Sequence, residues 1–156
     1  MTHYLVYWKD YWEDVEEDLG TSTMNWSTHS QVFYKTVKRK DVMWIVFPAG
    51  KEARTEWRLI ERIAVAHPDP KRKFSKWGQY HIIGDKRHSQ TFSLSMQPDF
   101  TAILWLLKFA SGKRIKLLGR RIGQALQSRG FRALAESDVI LLDEYAKLLK
   151  HRRNTG

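Results

Sequence analysis

The sequence predicts one α+β domain over residues 1–156. Its expected form is a twisted antiparallel sheet or small barrel followed by helices, with residues 99–150 mainly helical. Three observations lead there. Up to about residue 95, short β-branched and aromatic runs alternate with turn signals. Beyond residue 99 the apolar residues take helical spacing instead. Finally, 156 residues with 42% hydrophobic content suffice for one core and are too apolar for a disordered chain.

The elements follow in order. His3 to Lys9 is apolar on both faces and reads as a central, buried strand. Asp10 can cap a short acidic helix over 11–19, closed by Gly20. Thr21 to Ser30 is a polar loop that holds one conspicuous aromatic, Trp26. Gln31 to Val37 reads as a strand, Lys38-Arg39-Lys40-Asp41 as a turn, and Val42 to Phe47 as a strong strand ended by Pro48-Ala49-Gly50. Glu56 to Ala66 alternates, with Trp57, Leu59, Glu61 and Ile63 on one face and Arg58, Ile60, Arg62 and Ala64 on the other. His67 to Lys76 is a basic loop. Tyr80–Ile83 and Thr91–Ser95 flank Gly84-Asp85-Lys86-Arg87 as a hairpin-like pair.

Helices come next. Asp99 is the expected N-cap of a helix over 100–109, with Ile103, Leu106, Leu107 and Phe109 facing the core and Gly112 beyond its end. Arg120 to Gln127 is a further short helix. Glu136 to Lys150 has the strongest helical pattern, with Val139, Leu142, Tyr145, Ala146 and Leu149 on one face. Trp8, Trp57 and Trp105 are assigned to the core.

Charge separates the function classes. The net charge is +10, and it is unevenly spread. Residues 1–30 carry six acids and one Lys, whereas residues 108–132 hold eight bases and no acid. Such a field concentrates polyanions, so nucleic acid is the expected partner, with DNA favoured and RNA the alternative. No apolar run is long enough to span a bilayer, and no partnership with a membrane is expected. The amino terminus lacks the pattern of a secretory signal, which places the expected location in the cytoplasm. Without cysteine there is no disulfide framework and no thiolate metal site.

Catalytic signatures are missing. Neither GxxxxGK, GxGxxG nor GxSxG occurs, and the six His show no paired ligand spacing, so no metal and no cofactor is expected. Asp143-Glu144-Tyr145-Ala146-Lys147 has the residue types of a nuclease cluster but lies on an amphipathic helix, where a solvated face explains it. A carboxylate with Lys or Thr can form a general acid–base site, as with Glu56 or Glu61 and Lys35.

Three short pieces stand out together: Tyr4-Leu5-Val6-Tyr7-Trp8, Asn25-Trp26-Ser27-Thr28-His29, and Val37-Lys38-Arg39-Lys40-Asp41-Val42-Met43-Trp44-Ile45-Val46. This arrangement resembles the PUA-like superfamily over about residues 3–95, particularly its EVE and YTH branches and the EVE-like domains joined to modification-dependent nucleases. The family has a Tyr/Trp-rich first strand, a Trp-containing loop, and a Gly-Asp turn into a strand. Here Lys40-Asp41 stands where Gly-Asp is usual. Arg58-Leu59-Ile60-Glu61-Arg62-Ile63 resembles the strand that follows.

The resemblance implies a small, strongly curved β-barrel of about five to six strands with flanking helices and a pocket for one nucleobase, often modified. The base leaves the stack and aromatic walls replace the lost stacking. On that reading Trp26 is the first wall, with Asn25, Ser27 and His29 beside it; the bland role of those three is loop capping. Trp44 faces either pocket or core, and Trp77 and Tyr80 form a second wall. Arg72, Lys73, Lys76, Lys86 and Arg87 are rim contacts to phosphate, and Lys113, Arg114, Lys116, Arg120 and Arg121 form a second basic track. The expected function is a non-enzymatic reader of a modified DNA base, acting alone or with a separate nuclease or effector. The alternatives are an RNA-binding module of the same fold and a small hydrolase of modified nucleosides.

Overall fold

The structure is a computed structural model and describes residues 1–8, 24–48, 56–71, 78–92, 97, 100–114 and 131–155, with backbone alone for 150–155. The strands are β1 (His3–Tyr7), β2 (Trp26–Thr28), β3 (Val42–Pro48), β4 (Trp57–Pro68), β5 (Tyr80–Gly84), β6 (Gln90–Thr91) and β7 (Phe131–Ala133). The helices are α1 (Gln31–Thr36), α2 (Thr101–Leu106) and α3 (Glu136–Thr155). The acidic helix expected over 11–19, the helix over 120–127 and the Asp99 cap lie outside the described residues.

The sheet runs β2-β5-β4-β3-β1-β7, with β6 attached to β4 off this path. It is a curled, open half-barrel. Most neighbours are antiparallel, as expected for short consecutive strands. β1 and β3 are parallel, His3 opposite Val42 and Tyr7 opposite Val46, and the crossover between them carries β2 and α1.

β1 and β3 are buried along their whole length, which is what a run apolar at every position requires. Their side chains divide by parity. Leu5, Tyr7, Val42, Trp44 and Val46 join a cluster with Phe100, Leu104, Leu107 and Phe109 around α2 and with Leu142, Tyr145 and Ala146 of α3. Tyr4, Val6, Met43, Ile45 and Phe47 enter a second cluster with Phe33 and Val37 at α1 and with Ile82 of β5. The α3 face is the one its spacing predicts: Val139 and Leu149 pack at the margin of the same cluster.

β4 does not keep the simple alternation read from its sequence. Val46 is opposite Leu59 and Ile45 is opposite Glu61, so Ile60 is one residue too many for the ladder. This β-bulge exchanges the faces. Trp57 and Leu59 lie with the α2–α3 cluster, whereas Ile60, Ile63 and Val65 lie in the other. Beyond the bulge, the Arg62 guanidinium stacks on Trp44, 5.3 Å from the ring centre.

Other expectations are corrected. Gln31–Val37 is not a strand: Ser30 caps a helix there, its hydroxyl accepting the Phe33 N–H, and Phe33 and Val37 reach the core at i and i+4. β5 and β6 form no hairpin with each other; both pair with β4. The helix expected over 100–109 closes at Leu106, after which Leu107 is extended. That early end leaves Trp105 and Leu106 at 39% and 54% exposure and turns Leu104 inward instead.

Buried polar groups hold the elements in register. The Trp44 Nε1–H donates to His3 Nδ1 at 3.0 Å. The Gln97 amide accepts the Leu59 N–H and donates to the Leu59 carbonyl, serving as a one-residue strand beside β4. Asp138 is buried and accepts three backbone N–H groups, from Lys108 and Phe109 at 2.8 Å and Ala135 at 2.9 Å. It fastens the exit of α2 to the start of α3. It also holds Phe109 at φ +56°, where a β-carbon is strained.

Two predictions follow from these contacts. Asp138→Ala leaves three backbone donors, one of them buried, without this acceptor and should cost about 3 kcal/mol, read as a fall in the urea midpoint; an unchanged midpoint would contradict the fastening role. His3 is pushed below its ordinary 6.5, first by burial and then by the Arg62 charge, against the opposing pull of Asp143 and Asp41. The unfolded chain therefore takes up this proton before the folded one does, and stability falls as pH drops below 6.5. Urea midpoints between about pH 7.5 and about pH 5 should decline more steeply in the wild type than in His3→Gln, which has no proton to gain there.

Candidate nucleic-acid interface

β2 has only three residues and forms one edge of the sheet. It lies against β5 with Trp26 opposite Ile82, Ser27 opposite His81 and Thr28 opposite Tyr80. Two glycines permit the close approach. A β-carbon on Gly84 would lie 1.9 Å from the Met24 carbonyl oxygen, and one on Gly78, at φ +138°, would lie 2.1 Å from the Thr28 carbonyl carbon. The Gly84 N–H donates to Asn25 Oδ1 at 3.2 Å.

The curl appears in one aromatic contact. Trp8 prolongs β1, its N–H donating to the Val46 carbonyl. Trp26 is on β2, four strand spacings away along the sheet, roughly 19 Å if the sheet were flat. The two indoles meet edge to face, with ring centres 5.6 Å apart at 90°. Both are half-buried and pack on the cluster that contains Val6 and Ile82. The face on which they meet is therefore the concave one, and the α2–α3 cluster covers the convex one.

The sequence-derived site residues fall into three groups. Asn25, Trp26, Ser27, His29 and Tyr80 are brought together on or beside the β2–β5 pair. Ser27 Oγ and His81 Nδ1 are hydrogen-bonded at 2.8 Å across the strands. Tyr80 is buried, its ring tilted against Tyr34 at 5.1 Å. His29 is exposed. Trp44 takes the core alternative: it is fully buried on the convex face, with its N–H already bonded to His3. Lys86 and Arg87 are exposed in the turn after β5, while Lys113 and Arg114 are exposed beyond α2, on the β7 side. Trp77, Arg72, Lys73, Lys76, Lys116, Arg120 and Arg121 lie outside the described residues.

Trp8, assigned to the core by its sequence, is half-buried: it packs at the margin of the concave cluster and also forms the corner with Trp26. Strand parity was the available signal, since residues 4, 6 and 8 share a face. Glu61 is buried on the concave face opposite Ile45, while Lys35 is exposed on α1.

Neither a scan against protein-family models nor a search of curated proteins found a match for this sequence. The site is read from its own chemistry. Among the described residues no group of three or more His, Asp or Glu could hold a metal ion. None of the described helices is long and apolar enough to cross a membrane.

The close approach at Gly84 is directly testable. Gly84→Ala puts a methyl group 1.9 Å from the Met24 carbonyl oxygen, a backbone atom, and 3.0 Å from Ile63 Cγ2. It should displace β2 and lower stability by about 2 kcal/mol or more in urea denaturation; a wild-type midpoint would show that β2 does not need this contact.

Proposed function

We propose that this protein is a nucleic-acid-binding module that receives one unstacked base at the Trp8–Trp26 corner, in the manner of a PUA-like, EVE-type domain, with a modified base in DNA as its preferred ligand. The observation that carries the reading is the pair of half-buried indoles at the closing edge of a curled sheet. A core aromatic has no need to remain half-exposed, whereas a stacking platform must.

Chemistry at the corner supports it. Asn25 spends its carbonyl oxygen on Gly84, which leaves its amide nitrogen as a donor toward a base edge. Stacking on an aromatic is worth about 1–3 kcal/mol per base and repays part of the unstacking. The net charge of +10 supplies the attraction that any nucleic acid feels, without sequence information. The PUA-like reading gains support from the turn at Lys40, where the family has glycine. Lys40 holds φ +73°, the left-handed region that glycine enters without strain.

The test is fluorescence anisotropy on matched DNA oligonucleotides with and without one modified cytosine or adenine, at fixed salt. Trp26→Ala should weaken binding to the modified oligonucleotide about tenfold or more. Equal affinity for modified and unmodified DNA would remove the modified-base part. Preference for matched RNA would move the ligand to RNA.

A further inference from the structure

Two basic turns far apart in sequence meet at one place in the fold. The first is Lys38-Arg39-Lys40, before β3; the second is Lys86-Arg87, after β5. They lean on adjacent residues of β4, one on each. The Lys40 N–H donates to the Val65 carbonyl at 2.9 Å, and the Asp85 N–H donates to the Ala64 carbonyl at 2.7 Å. Val65 is in turn the register partner of Gly84, and Gly84 donates to Asn25, the residue before Trp26. A continuous chain of backbone contacts thus runs from the Asn25–Trp26 edge to both turns.

Each turn is held by an acid that does not neutralise its bases. Asp41 is buried, its carboxylate accepting the Lys38 N–H at 2.8 Å and the Thr2 N–H at 2.9 Å. Asp85 accepts the Arg87 N–H and pairs with His88 at 2.7 Å; the His88 hydrogen bond holds its carboxyl below the ordinary range. All five basic side chains are exposed, and none makes an ion pair among the described residues. Like charges packed this way repel. A merely soluble surface intersperses the two signs.

We propose that the two turns form one phosphate clamp, which grips the nucleic-acid backbone beside the base delivered to Trp26. This rests on the nucleic-acid reading above and names its phosphate contacts. The chemistry selects a phosphodiester chain over a lipid surface. A membrane patch needs apolar side chains among its bases; neither turn contains a large apolar residue, and of the exposed ones among the described residues only Met1, next to Thr2, lies near the first turn, the others being on α1, α2 and α3.

The experiment measures binding of fluorescein-labelled DNA, single-stranded and duplex, across a salt series. One variant is Lys38→Gln/Arg39→Gln/Lys40→Asn, with Asn chosen because it tolerates left-handed φ. The other is Lys86→Gln/Arg87→Gln, and Lys108→Gln/Lys147→Gln is a charge-matched comparator to the second. Urea midpoints confirm folding. On duplex, where each lost phosphate contact contributes about 0.9, the slope of log affinity against log salt should fall by about 3 in the Lys38–Lys40 variant and by about 2 in the Lys86–Arg87 variant, with smaller changes on single strands. The comparator should change it less.

A wild-type slope in both turn variants, or a loss no greater than the comparator's, overturns the clamp. So does a loss of binding to phosphatidylserine vesicles with DNA affinity intact. If the turn variants lower the slope while Trp26→Ala binds normally, the clamp stands and the base pocket falls. If the wild type binds neither DNA form, both fall.

Discussion

A strand without a solvent-facing side has to be covered twice, and β3 sets that requirement for the whole molecule. Every residue from Val42 to Pro48 is buried. Burial of apolar area contributes about 25 cal/mol per Å², so neither face can remain in water. The convex face is covered by α2 and α3. The concave face is covered by the sheet itself, curled until its far edge meets it, together with Phe33 and Val37 from the α1 segment. The bulge at Ile60 lets β4 serve both clusters, because one extra residue reverses which side its apolar residues face.

Double coverage brings polar backbone and side chains into dry surroundings, where each needs a partner. The fold answers with a few polar residues that each join distant segments. Asp41 joins the amino terminus to the turn before β3, Asp138 joins α2 to α3, and Gln97 completes the ladder of β4. Among the described residues no buried side-chain nitrogen or oxygen lacks a hydrogen-bond partner. His3 adds a pH limit, since its Nδ1 must stay unprotonated to accept from Trp44.

The candidate site is a by-product of the same closure. Curling brings Trp8 and Trp26 together, and closing with a three-residue strand leaves their rings half-buried. The turns that start β3 and end β5 converge on Ala64–Val65 because both strands pair with β4 there. Aromatic corner and basic turns therefore share one scaffold, tied by the Asn25–Gly84 hydrogen bond.

The sequence by itself determined the α+β class, the buried β1 and β3, the apolar face of α3 and the positive charge. These follow from local periodicity and composition, which need no partner to be read. It also singled out Trp26, as an indole in a polar segment. The tertiary structure decided what depends on contacts distant in sequence. The Ser30 cap and the pocket for Phe33 override the β propensity of Gln31–Val37. The bulge overrides the alternation of β4, because its extra residue is invisible without the opposite strand. The side of the sheet on which Trp8 and Trp44 lie follows from curvature, a property of all the strands together. The meeting of Lys38–Lys40 with Lys86–Arg87 exists only because one strand separates them in space where more than forty residues separate them in the chain.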